Sequence, residues 1–213
     1  YAAAIFDLDG TLIDTERLII DAALTTLQNF GLSVDRSFLT TLVGVDEVVA
    51  FGMLQAHVGH DTDLSAYDAA WAGEVRAAYA RGIPLMSGVA EMLDHLSTRG
   101  LPRAVATNSH TVNARRKLGE AGIAHHFDPD HVVGFDLVPA PKPAPDVFVD
   151  AARRLGVDPR QCLAFEDSDT GVASALAAGM TVVQVPDMRP AGTRDAHHLA
   201  ETLLDGARAA GLF

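Results

Sequence analysis

Cysteine occurs once in the chain, at Cys162, so no internal disulfide can form and a reducing compartment is the default. It sits in the apolar run Cys162-Leu163-Ala164-Phe165, where a buried structural thiol is expected rather than a nucleophile. Basic residues are also scarce: Lys and Arg number 16 against 28 Asp and Glu, a formal charge of −12. That balance repels phosphate backbones and anionic headgroups, which argues against nucleic acid and membrane as partners. No apolar run approaches the roughly 18 residues of a membrane span, and no charged-then-apolar signal segment opens the chain. The expectation is a cytoplasmic protein, monomeric or a weak homodimer. Internal repeats and low-complexity tracts are lacking as well. The 213 residues leave room for one large domain or two small ones.

What is present is organised around Ile5-Phe6-Asp7-Leu8-Asp9-Gly10-Thr11-Leu12. Ala2 to Phe6 has no polar alternation and reads as a strand buried on both faces. Asp7 and Asp9, at i and i+2 of an extended segment, point the same way and can line one crevice. Two acids at the end of a buried strand need a cation or a proton, and a hard, oxygen-seeking ion such as Mg²⁺ fits. Gly10 permits a sharp turn that brings backbone N–H groups close to an anion.

Helical spacing follows. Helices are expected from Asp14 to Gly31, Asp35 to Leu42, Asp46 to His57 and Leu64 to Arg81, with no convincing strand between 14 and 83. After Pro84 strand and helix alternate. Strands are expected at 103–107, 131–134, 161–165 and 181–185, and helices at 89–99, 112–121, 146–155, 171–178 and 197–210. Alternation of this kind means right-handed crossovers and a parallel sheet covered on both faces. The fold class is therefore α/β: a doubly wound, Rossmann-like core formed by 1–13 and 84–213, with an inserted helical domain at 14–83.

In such a sheet ligands bind beyond the carboxyl ends of the strands. There the chain offers Asp7 and Asp9, then Thr107-Asn108-Ser109, then Lys142 between Pro141 and Pro143, then Glu166-Asp167. Together these are acids for a divalent cation, hydroxyl and amide donors for a tetrahedral anion, and one ammonium. Read singly each has a plainer meaning. Thr107-Asn108-Ser109 could be a helix N-cap, Lys142 a solvated loop residue and Asp169 a partner of a helix dipole. His125, His126, Asp128, Asp130 and His131 suggest a metal cluster, but their place between a helix and a strand reads as a solvated turn; His197-His198, opening the last expected helix, reads the same way.

The set in order, Asp-Leu-Asp-Gly-Thr at 7–11, Thr-Asn-Ser at 107–109, Lys-Pro-Ala-Pro-Asp at 142–146 and Phe-Glu-Asp-Ser at 165–168, resembles the haloacid dehalogenase-like superfamily, in its phosphatase and phosphomutase branch. The resemblance spans the whole chain and makes 14–83 similar to that family's helical cap. It implies a phosphatase acting on a small phosphorylated metabolite, with Asp7 as nucleophile on phosphorus and Asp9 as general acid and base. It further implies Mg²⁺ held by the Asp7 carboxylate, the Asp9 backbone carbonyl and Asp167, with Glu166 as a further ligand or a group behind the ligands. Thr107 and the backbone at Asn108 would bind phosphoryl oxygens, and Lys142 would steady the charge of Asp7 and phosphate. A phosphosugar mutase of the same branch is the alternative, and a silent phosphate sensor a more distant one. Against the mutase, the place of its early cap histidine falls at or beside Ile19, and Val45 to Leu54 carries Asp46 and Glu47 but no lysine or arginine.

Overall fold

The computed structural model describes residues 1–45 and 47–213, apart from the side chain of Glu47. In chain order, β1 (Ala3–Phe6) is followed by four helices, α1 (Thr15–Asn29), α2 (Arg36–Leu42), α3 (Glu47–Val58) and α4 (Tyr67–Ala80). Then come α5 (Val89–Thr98), β2 (Arg103–Ala106), α6 (Thr111–Glu120), β3 (Val132–Val133) and α7 (Asp146–Leu155). β4 (Cys162–Glu166), α8 (Asp169–Ala177), β5 (Thr181–Gln184), β6 (His198–Leu199) and α9 (Leu203–Ala209) complete the chain. The chain divides into two compact units, one of residues 1–14 and 84–213, the other of residues 15–83.

The first unit is a six-stranded parallel sheet in the order β3-β2-β1-β4-β5-β6. β1 lies near its middle because all four of its residues are apolar and fully buried, which suits a strand covered on both faces. Ala3 and Ile5 join a cluster with Ala104, Ala106, Ala164 and the Val147, Phe148, Ala151 and Ala152 face of α7. The alanines let helix and sheet approach closely. Phe6 stacks on Phe165 at 4.9 Å between ring centroids and meets Phe127 edge-on at 6.4 Å. The register sets Phe6 beside both Val105 and Phe165, so the ends of β1, β2 and β4 come level. That level edge is where the polar motifs emerge.

Several boundaries differ from the sequence reading. The expected helix at 197–210 is shorter, because residues 197–200 spend their polar groups on the sheet edge. His197 Nδ1 accepts from the Val182 N–H, and the Ala200 N–H donates to the Gln184 carbonyl. Only then does Thr202 cap α9 by accepting from the Asp205 N–H, so His197-His198 belongs to a strand edge and does not open a helix. The strand expected at 131–134 shrinks to two residues, since Asp128 and Pro129 set up a 3₁₀ turn immediately before it. α4 starts later than Leu64 because the Asp63 carboxylate accepts from the Ser65 N–H and holds a turn there. Of the helix expected from Asp46, the first residue lies outside the described residues.

The second unit is all helical among the described residues. α1 packs against α4, and Trp71 Nε1 donates to the Ile19 carbonyl at 3.3 Å. Tyr67 stacks on Trp71 and takes Phe30 edge-on. Within this unit lies a cleft of about 390 Å³ walled chiefly by apolar residues, among them Ile19, Leu42, Val45, Phe51 and Trp71. Among the described residues no helix is long and apolar enough to cross a membrane.

Candidate active site

The polar motifs meet at the carboxyl edge of the sheet. The Asp7 N–H still donates to the Phe165 carbonyl at 2.9 Å, so β1 runs in register up to the first carboxylate. Beyond it the chain turns: the Leu12 N–H returns to the Leu8 carbonyl, and Gly10 takes a positive φ of 85°. A Cβ at Gly10 would also lie 2.6 Å from Asp167 Oδ2. Only glycine satisfies both the backbone and the close approach.

Lys142 is the centre of the buried charge. Its Nζ donates to Asp7 Oδ1 at 2.6 Å and to Glu166 Oε1 at 2.5 Å, with 4% of the lysine side chain exposed. The loop carrying it is fastened by Asn108, whose Oδ1 accepts from the Lys142 N–H at 2.9 Å and whose Nδ2 donates to the Lys142 carbonyl at 3.3 Å. The ammonium also lies 4.9 Å from the centre of the Phe148 ring, and the Lys142-Pro143 peptide is cis. Lys142 is thus a fixed interior cation, not the solvated loop lysine of the plainer reading.

Glu166, the last residue of β4, is fully buried. Its second oxygen accepts from the Ser168 hydroxyl at 3.2 Å and the Ser168 N–H at 3.4 Å. Gly171 makes room for it: a Cβ there would come within 1.9 Å of Glu166 Cδ. Asp167 Oδ1 accepts from the Thr11 hydroxyl at 3.4 Å, and Gln184 Nε2 donates to the Asp167 carbonyl. Asp169, in the first turn of α8, accepts from Gln184 Nε2 and the Gly192 N–H.

Asp7, Glu166 and Asp167 each offer a carboxylate oxygen, all within 4.8 Å of one another. Lys142 answers two of these acids, Asp7 and Glu166. Burial above all, with the charges of Glu166 and Asp9, pushes the Asp7 carboxyl up to about 8, against the lowering pull of Lys142. Burial alone would lower Lys142, but Asp7 and Glu166 more than offset it and keep the ammonium charged. A hard divalent cation fits this all-oxygen group.

Thr107 is buried at the end of β2, and its hydroxyl accepts from the Ser109 N–H at 3.0 Å. The segment is not the cap of α6; the Thr111 N–H at that helix start is taken by Asp136 Oδ1 instead. The Asp9 carboxylate stands outside the group formed by Asp7, Glu166 and Asp167. It takes Lys117 Nζ at 2.7 and 2.9 Å on its two oxygens, and the Ser109 hydroxyl at 2.8 Å on Oδ2. Sequence reasoning missed Lys117 and Gln184, and it placed Ser109 only within the Thr-Asn-Ser motif, with no tie to Asp9. The one signal for Lys117 was its rarity, since lysine occurs only at 117 and 142.

A family model described as haloacid dehalogenase-like hydrolase matches residues 4–185, from β1 to beyond β5. The chain belongs to the haloacid dehalogenase-like hydrolases. Among similar members, fructose-1-phosphate phosphatase YqaB of Escherichia coli is 36% identical over 186 residues, 87% of this chain and 96% of that one. (DL)-glycerol-3-phosphatase 1 of Arabidopsis thaliana is 34% identical over 87% of this chain, which spans 64% of that protein's length. A crystal structure of a haloacid dehalogenase family hydrolase from Deinococcus radiodurans, with bound phosphate and sodium, superposes with a TM-score of 0.83 at 28% identity, covering 99% of this chain and 94% of the other. A putative β-phosphoglucomutase from Thermotoga maritima shares the fold at a TM-score of 0.85 and 24% identity, covering 100% and 99%. By this kinship the haloacid dehalogenase-like chain is a phosphoric monoester hydrolase.

Proposed function

We propose that this hydrolase removes phosphate from a small phosphorylated metabolite through an aspartyl-phosphate on Asp7, with Mg²⁺ at the acidic group. The observation that carries the reading is Lys142, buried and bonded at once to Asp7 and Glu166. Such a cation holds a nucleophilic carboxylate in place and reduces its repulsion of an incoming phosphate dianion. Asp7 attacks phosphorus, and the leaving oxygen takes a proton from Asp9. Asp9, now a carboxylate, then takes a proton from the water that hydrolyses the phosphoaspartate. Thr107 and the N–H of Asn108 receive phosphoryl oxygens. The Asp7 and Asp167 carboxylates and the Asp9 carbonyl would hold the metal, with Glu166 adjoining. Bound there, Mg²⁺ supplies charge neutralisation for the nucleophile and the transferring phosphoryl group.

In this reading the helical unit of 15–83 acts as a cap that excludes water and reads the organic part of the substrate. Two of its basic groups are engaged within the unit: Arg36 pairs with Asp21, and His57 stacks on Phe38 at 3.8 Å. That supports a monophosphate over a bisphosphate-handling mutase; Asp46 and the side chain of Glu47, weighed in the same comparison, lie outside the described residues. The names of the relatives make sugar and polyol phosphates the first candidates. The test is a panel of phosphorylated sugars, glycolate, glycerol and nucleotides, followed by phosphate release with and without Mg²⁺. Release from at least one ester, dependent on Mg²⁺, is expected. A flat response from folded protein would instead favour a phosphate sensor.

A further inference from the structure

The chain has fourteen arginines and only two lysines, and each lysine lies against one of the two aspartates of the Asp7-Leu8-Asp9 motif. Lys142 serves Asp7. Lys117 sits near the end of α6, where a basic residue would ordinarily lean on the helix dipole in solvent. Its side chain does otherwise. It runs back toward the helix start, as helical side chains tilt, and reaches Ser109 Oγ at 3.1 Å, eight residues earlier. There it bridges both oxygens of Asp9, with 12% of the lysine side chain and 27% of the aspartate exposed. Ser109 adds its hydroxyl to Oδ2. Ordering a lysine this far costs side-chain entropy, which an exposed pair rarely repays. Three donor contacts on a two-oxygen group leave the Asp9 carboxylate little freedom about its side-chain torsions.

We propose that Lys117, assisted by Ser109, is the positioning residue for Asp9: it aims the group that passes the proton between leaving oxygen and water, without itself touching substrate. The inference rests on the role of Asp9 under the proposed function. Proton transfer demands a donor within hydrogen-bond reach of the leaving oxygen, so an Asp9 free to rotate loses effect there first. The groups that hold and attack the phosphoryl centre, Asp7, Lys142, Glu166 and Asp167, do not depend on Lys117. Its loss therefore falls on leaving groups that need protonation and spares those that do not.

The test compares kcat/KM, which reports steps up to leaving-group departure, for p-nitrophenyl phosphate, phenyl phosphate and glycerol 3-phosphate. Lys117→Met should lower it about 10- to 100-fold for the last two, part of the roughly 10²- to 10⁴-fold effect of a general acid. For p-nitrophenyl phosphate the loss should stay below about 3-fold, by the same principle. Lys117→Arg should restore most of the loss, and Ser109→Ala should show the same pattern more weakly. In an Asp9→Asn background Lys117→Met should add less than about 2-fold on any substrate, since two residues acting as a unit are not additive. An equal loss on all three substrates, no loss, or full additivity with Asp9→Asn overturns the proposal. If Asp9→Asn itself shows no dependence on leaving group, the acid role of Asp9 fails and the proposal with it. A steep Asp9→Asn response with a flat Lys117→Met response removes Lys117 alone. Should Lys117→Met not fold, Ser109→Ala decides by the same criteria.

Discussion

Replacing Lys142 by methionine removes the single cation between two buried carboxylates and leaves the aliphatic volume nearly unchanged. The ammonium is bonded at 2.6 Å to Asp7 and at 2.5 Å to Glu166, and neither acid side chain is more than 10% exposed. Breaking a buried ion pair from one side costs about 3–5 kcal/mol, because the remaining charge cannot reach water. For a chain of this size each kcal/mol moves the melting temperature by about 2–4 °C, so the metal-free variant should melt about 6–20 °C below its parent. The loss should depend on pH. Asp7 is raised in the fold, to about 8 in the parent from an ordinary 3.8, so the folded state holds more protons than the unfolded one across that interval. Stability of the metal-free parent therefore falls as pH rises through it, by at most about 1.4 kcal/mol per pH unit. Without Lys142 the charge deficit grows, so the gap between variant and parent should be small at pH 5 and widest near pH 8. Mg²⁺ should narrow it by replacing the lost positive charge. Thermal melts at pH 5, 6.5 and 8, with EDTA or with excess Mg²⁺, give the comparison. A gap under 2 °C at pH 8, or one that widens toward acid, would refute the reasoning.

Other consequences follow from the same site. Asp7→Asn should abolish turnover with the fold kept, as judged by circular dichroism and phosphate release; more than a few percent residual activity would exclude Asp7 as the nucleophile. It should also weaken Mg²⁺ binding, read by calorimetry, through loss of one charged ligand. Gly171→Ala places a Cβ 1.9 Å from Cδ of Glu166, whose fully buried side chain has little room to yield. It should cost at least about 1–3 kcal/mol in urea unfolding, and an unshifted midpoint would show that α8 can retreat. Given β-glucose 1-phosphate, Mg²⁺ and a trace of glucose 1,6-bisphosphate, the protein should release free phosphate or leave the sugar untouched in phosphorus NMR. Accumulating glucose 6-phosphate without matching free phosphate would make it a mutase.

The sequence alone determined the α/β class, the inserted helices and the candidate acids, because each depends on local order along the chain. A short, wholly apolar stretch such as Ala3–Phe6 that ends in acids and a glycine reads as an interior strand, and ligands gather beyond the strand ends of such a sheet. Short elements were less legible. Val132–Val133 and His198–Leu199 are strands only because a neighbour supplies their hydrogen bonds, and no periodicity exists in two residues. Side-chain partners were hidden for a related reason. That Lys142 bridges Asp7 and Glu166 depends on three segments far apart in the chain arriving at one edge in register. Lys117 was more deeply concealed, since its place on α6 suits an ordinary solvent-facing residue and only the fold brings Asp9, 108 positions away, within its reach. Which acids ionise, and which lysine answers which aspartate, is decided by burial and distance, and these exist only once the sheet has formed.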